Sequence, residues 1–186
     1  IASIDSQIDI SSSETKQDSR SYLSSIILRQ PNYLFNFTGI GHQSYFVDNE
    51  KIELMKQLFF DCYRLGDIRE DLEESEALVR NADMLSVDIS SVRQSEAPGN
   101  KNSSPNGFYG EEICKICRYA GMSDKLSSAG FYEFNPEIDK NGQTAHLIAQ
   151  MIWFLIEGFA NRKNDNPRIN KEGFIIYHVI NKELDI

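Results

Sequence analysis

Apolar runs of strand length alternate along the chain with segments whose apolar residues recur at helical spacing. Runs at 1–4, 33–40, 62–65, 84–89, 130–134 and 174–180 read as strands. The central ones are apolar at nearly every position, as in strands buried on both faces. Helical spacing covers 19–28, 49–60, 69–81, 110–120 and 144–161, and several of these open on acidic residues that suit the helix dipole. This regular alternation predicts an α/β fold, three layers deep (α/β/α), around a mainly parallel sheet. Residues 94–106 are rich in Ser, Pro, Gly and Asn without any period, so they form a loop, long for such a domain and of the kind that carries function. Residues 161–171 are a polar connector, and no internal repeat is present.

The chain opens on Ile1-Ala2-Ser3-Ile4, which reads as the inside of a buried strand, and its first residue is not Met. The expectation is therefore one domain over 1–186 that lacks upstream strands of its full fold. Net charge changes the picture by exclusion. At -9, with no basic stripe, the chain is a poor partner for a phosphate backbone, so nucleic acid is not expected. The longest apolar stretch, 145–160, falls short of the roughly 18 to 20 residues that span a bilayer and contains Gln150 and Glu157. No charged-then-apolar leader opens the chain, and three cysteines (Cys62, Cys114, Cys117) are too few for a disulfide framework, so a cytoplasmic location is expected.

In an open parallel sheet, ligands bind beyond the carboxyl ends of the strands. The residues that fall there are Asp5 and Asp9, 39–43, 88–93 and 133–136. Asp5-Ser6-Gln7-Ile8-Asp9 follows one strand, and Ser86-Val87-Asp88-Ile89-Ser90 ends another. Both place carboxylates where divalent cations such as Mn²⁺ find oxygen ligands. Singly, such aspartates more often cap a helix or brace a turn.

Taken together, these segments resemble the ureohydrolase superfamily of arginase, agmatinase and formimidoylglutamase. That family has Asp-Ala-His-x-Asp after one strand, Ser-x-Asp-x-Asp-x-x-Asp-Pro at another, and Glu-Val-Asn-Pro at a third. Here stand Asp5-Ser6-Gln7-Ile8-Asp9, then Ser86 to Arg93 followed by Ala97-Pro98-Gly99, then Glu133-Phe134-Asn135-Pro136. A glycine-led helix start at Gly107-Phe108-Tyr109 with Glu111-Glu112 lies between them. The resemblance implies an arginase-like fold and metal-assisted hydrolysis of a carbon–nitrogen bond in a guanidino or formimino compound.

Carried over, it makes Asp5, Asp9 and Asp88 the metal ligands of a first ion, and Asp88 and Glu133 the catalytic candidates. The second ion's histidine is Gln7 and its aspartate is Ser90, and neutral amide and hydroxyl groups bind Mn²⁺ weakly. One Mn²⁺ at most, or none, is therefore expected, with a catalytically weak or silent domain that binds a small cationic guanidino- or formimino-type ligand, or a partner. The alternative is an active hydrolase using substitute ligands. Arg93 replaces the aspartate before proline and brings a positive charge toward the site mouth, while residues 19–23 offer no proton-shuttling histidine. Glu133 and His42 are the substrate-binding candidates.

Gly39-Ile40-Gly41-His42-Gln43 lacks the full phosphate-loop fingerprint. His42 is as readily a hydrogen-bonded structural residue. Cys114-Lys115-Ile116-Cys117 reads as buried helix thiols rather than a zinc site, since no second ligand pair follows at zinc spacing. Trp153-Phe154-Leu155 reads as core packing, with a homo-oligomer contact as its alternative.

Overall fold

A computed structural model describes residues 1–10, 20–163 and 175. Its sheet is built from β1 (Ala2–Ile4), β2 (Thr38–His42), β3 (Asp61–Arg64), β4 (Met84–Asp88) and β5 (Ser128–Tyr132). All pairings are parallel, in the order β3-β2-β1-β4-β5. The helices are α1 (Tyr22–Ile27), α2 (Asn49–Gln57), α3 (Leu65–Glu70), α4 (Ser75–Val79), α5 (Gly110–Met122) and α6 (Gln143–Ala160). The α/β layered class expected from the alternation is the one observed. The expected strand at 174–180 lies outside the described residues.

The strand order reverses at β1. From β1 the chain steps outward through β2 and β3, then returns to place β4 on the other side of β1. That junction is the switch point at which open parallel sheets bind ligands. Asp5 directly follows β1 and Asp88 ends β4.

Two clusters form the core. The larger joins Ala2, Ile4, Leu85 and Val87 of the sheet to Ile113, Ile116 and Cys117 of α5 and to Leu147 and Met151 of α6. The smaller seals the other face, with Leu23 of α1 and Met55 of α2 against Ile8 and Phe37. Burying such a side chain contributes about 1.5–3 kcal/mol. Helices α5 and α6 approach backbone to backbone: a Cβ on Gly121 would meet the Leu155 carbonyl, and one on Gly158 the Arg118 carbonyl. Cys114 and Cys117 face the core as free thiols, as expected.

Three boundaries differ from expectation. The helix expected over 69–81 is broken at Asp71, whose backbone leaves the helical region while its side chain accepts from the Glu73 amide at 3.1 Å. A local cap of this kind competes with helix continuation, and the surrounding run of like charges weakens one long helix further. Strand β2 begins at Thr38 rather than 33, because the Asn32 side chain turns the chain by accepting from the Leu34 amide at 2.8 Å. Strand β5 stops at Tyr132, since Glu133 takes a left-handed backbone with φ 63°. No helix among the described residues is long and apolar enough to cross a membrane.

Candidate functional site

The sheet register assembles the site. Ile4 pairs with Val87, so Asp5 and Asp88, one step further, emerge side by side from adjacent strands. Asp88 in turn pairs with Tyr132, which brings Glu133 to the same rim. Asp9 arrives from the turn after β1. Together Asp5, Asp9, Asp88 and Glu133 line a pocket of about 400 Å³, whose other walls are Ile1, Tyr22, Ile26, Met84, Ser86 and Tyr132. His42 is not part of it. That imidazole is buried at the end of β2, with Arg64 and Asp67 as its charged neighbours.

The carboxylates are held under electrostatic stress. Burial, with Asp88 and Asp9 added to it, pushes the Asp5 carboxyl up to about 9, although the Gln7 amide donates to its Oδ1 at 2.9 Å. Burial also raises Asp9, to about 6, against the opposing effect of its hydrogen bond with Asp5 and of Lys51 and Arg20. Asp5 and Asp9 are thus both held above the ordinary carboxylate range and are joined to each other by a side-chain hydrogen bond. Asp88 is raised by burial as well, partly relieved by Ser90, whose amide donates to its Oδ1 at 2.7 Å. Like charges crowded in a low-dielectric site favour protonation or the arrival of a cation.

Two cations flank the acids. The Lys51 ammonium donates to the Ile8 carbonyl at 3.0 Å, beside Asp9. Arg20 donates to Asn102 Oδ1 at 3.0 Å, and the Asn102 amide lies 3.4 Å from Glu133 Oε2. Asn100, buried in the long loop, donates to the Glu133 carbonyl at 2.8 Å and holds this residue in its left-handed conformation. Arg93, expected at the mouth of the site, is instead stacked on the Tyr109 ring at 3.4 Å, where the ring face and the Gly107 carbonyl engage its guanidinium.

Of the two positions that carry a neutral group where the resemblance expects a ligand of the second ion, Gln7 and Ser90, the serine has a side-chain partner. Ser90 Oγ is 3.0 Å from Ser6 Oγ, a buried hydroxyl pair. Among the described residues, no three His, Cys, Asp or Glu side chains converge on one point as a ligand set.

Tyr22, Arg20, Lys51, Asn100 and Asn102 were not singled out from the sequence. For the asparagines the signal was the composition of the 94–106 loop. For Tyr22 it was position: it lies in the segment searched for a histidine, and its hydroxyl sits 3.3 Å from Ser3 Oγ in the pocket.

Fold and site together define an open parallel α/β domain with an acidic pocket at its switch point. The Arginase family model matches residues 2–157, and the chain belongs to that family. It is 32% identical over 91 residues to the formimidoylglutamase of Corynebacterium efficiens, a match covering 48% of this chain and 29% of that protein. To the Vibrio vulnificus formimidoylglutamase it is 27% identical over 121 residues, covering 62% and 35%. The chain thus spans about a third of the length of these curated relatives. Among solved structures, Trypanosoma cruzi formiminoglutamase with Mn²⁺ superposes with a TM-score of 0.77 at 18% identity, covering 87% of this chain and 56% of that one. Bacillus subtilis formimidoylglutamase gives 0.76 at 18%, covering 87% and 53%. These likenesses show the arginase-like fold.

Proposed function

We propose that this domain binds a small cationic ligand of the amidinium or guanidinium type in the acidic pocket, and that it does so without the two-ion hydrolytic chemistry of its family. The observation that carries the reading is the gathering of Asp5, Asp9, Asp88 and Glu133 in one pocket, beside a Ser6–Ser90 hydroxyl pair where a second ion would need an acid. A planar cation offers forked N–H donors that suit carboxylates, and its charge relieves the repulsion among them. Tyr22 and Tyr132 supply flat walls for such a group.

Asp5, Asp9 and Asp88 would serve one Mn²⁺ at most, and a lone ion lacks the paired partner that activates a bridging water for attack on carbon. Glu133, which lines the same pocket, would be the acid that meets the ligand's cationic carbon. Calorimetric titration with agmatine and with formamidinium tests the reading. Saturable binding by the metal-free protein, lost on Asp88→Asn, is expected. No heat with either cation, or heat unchanged by Asp88→Asn, contradicts it.

A further inference from the structure

The acidic pocket has a guanidinium of the chain's own at its rim. Arg20 stands two positions before Tyr22, which is a wall of the pocket and the first residue of α1. Its Nη2 donates to Asn102 Oδ1 at 3.0 Å, and Asn102 Nδ2 lies 3.4 Å from Glu133 Oε2. Guanidinium, amide and carboxylate form one chain that joins three stretches far apart in sequence. Burial pushes the Asp9 and Asp88 carboxyls up, and Arg20 is among the groups that pull both back. One cationic side chain therefore acts on three of the pocket's four acids, on two through its charge and on the third through an amide.

The seat under Arg20 is braced, while the hold of Arg20 on it is light. Buried Asn100 donates to the Glu133 carbonyl at 2.8 Å and accepts from the Asn102 amide at 2.5 Å, which ties the loop tip to the end of β5. Ser103 Oγ donates to the Asn100 carbonyl at 2.7 Å and fixes that tip further. Arg20 and Asn102 are both exposed, and a hydrogen bond between exposed groups contributes little net stability because water competes for each end. The long arginine side chain also gives up rotamer freedom to stay there. Such a contact exchanges readily for one made by an incoming group of the same chemistry.

We infer that Arg20 is an intramolecular competitor for the pocket, a tethered guanidinium that a ligand must displace from the Asn102–Glu133 rim before its own cationic group is held by the acids. The inference rests on the proposed function and deepens it. Tethering gives Arg20 an effective concentration on the order of millimolar, enough to oppose a small cation that binds in the same range. The group best suited to take its place carries N–H donors fixed in a plane on a delocalised charge, as amidinium and guanidinium do. Lys51 provides the comparison. It too opposes the rise of Asp9, but its ammonium donates to the Ile8 carbonyl at 3.0 Å, on the α2 side of the acids and not at the Asn102–Glu133 rim.

Calorimetric titration of agmatine into the parent, Arg20→Gln and Lys51→Gln proteins tests this, with melting temperatures recorded on the same samples. Arg20→Gln should bind at least about 5-fold more tightly than the parent, since the competing charge and the competing donors are both gone. Lys51→Gln, which removes a charge and leaves the rim occupied, should gain less than half of that. Binding by Arg20→Gln where the parent shows none also supports the inference, although the proposed function of the unaltered chain then fails. Affinity that is unchanged or weaker in Arg20→Gln, beside a parent that binds, overturns the inference and leaves the proposed function standing. A lowered melting temperature without a gain in affinity makes Arg20 a structural tie, and equal gains in the two variants make it a nearby charge only; either overturns the inference. Binding by none of the three proteins overturns both readings.

Discussion

Asp5→Asn isolates the electrostatic stress on which the proposed ligand site depends. Asp5 and Asp88 leave adjacent strands one step beyond the Ile4–Val87 pair, so their backbones are about 5 Å apart, the usual strand spacing. Two unit charges at that separation repel by about 3 kcal/mol at an effective dielectric near 20. The upward push on the Asp5 carboxyl means that protonation already removes part of this, leaving roughly 1–2 kcal/mol to be recovered by a neutral amide. Asn retains the oxygen that accepts from the Gln7 amide, so the turn after β1 is preserved. The ligand-free variant should therefore melt higher, by about 2–4 °C per kcal/mol for a domain of this size. Its affinity for agmatine should fall by about 1.5–3 kcal/mol, roughly 10- to 150-fold, as one charged hydrogen bond is lost. Differential scanning fluorimetry and calorimetry on the same samples read both quantities. A variant that melts lower and binds agmatine as the parent does would show that Asp5 is a structural cap, and the reasoning would fail.

Three further outcomes are expected. Asp5 and Asp9 titrate above the ordinary carboxylate range, so the native state holds their protons more tightly than the unfolded chain; the stability this gives is complete below about pH 4 and is lost as pH rises toward 9. Melting temperature without ligand should accordingly fall across that window, while affinity for an organic cation should rise, and opposite slopes in both measurements would refute the upward push on these carboxyls. Gly158→Val drives a branched side chain into the Arg118 carbonyl and should cost at least about 3 kcal/mol in urea denaturation, where Gly66→Ala, with open space around it, should be nearly neutral. Glu133→Gly should stabilise the fold by about 1 kcal/mol by relaxing the left-handed backbone, yet weaken agmatine binding; destabilisation would show that the Glu133 side chain braces the strand end.

The parts of the fold legible in the sequence were those set by periodicity. The apolar run at 84–89 and the helical spacing at 110–120 were read as a strand and a helix, and their starts match the observed Met84–Asp88 and Gly110–Met122. Boundaries governed by a single side chain were not legible: Asp71 and Asn32 redirect the chain through hydrogen bonds that no apolar pattern records. At the pocket, Asp5, Asp9, Asp88 and Glu133 could be named because strand ends in a parallel sheet converge. The residues that tune them could not. Lys51 reaches the acids from α2, and Arg20 and Asn102 meet across 82 positions of sequence, so only the folded chain shows the connection. Arg93 was expected near the site from the resemblance to the family's motif, but the Tyr109 ring that draws it aside is a tertiary contact.

The most direct test of the central claim is a count of manganese on the metal-stripped and reloaded protein, with urea and formamide release assayed on the same sample. The account predicts one Mn²⁺ per chain at most, no Mn²⁺-dependent turnover, and a second ion only after Gln7→His with Ser90→Asp restores its ligands. Two ions per chain in the unaltered protein, with turnover that depends on them, would contradict it.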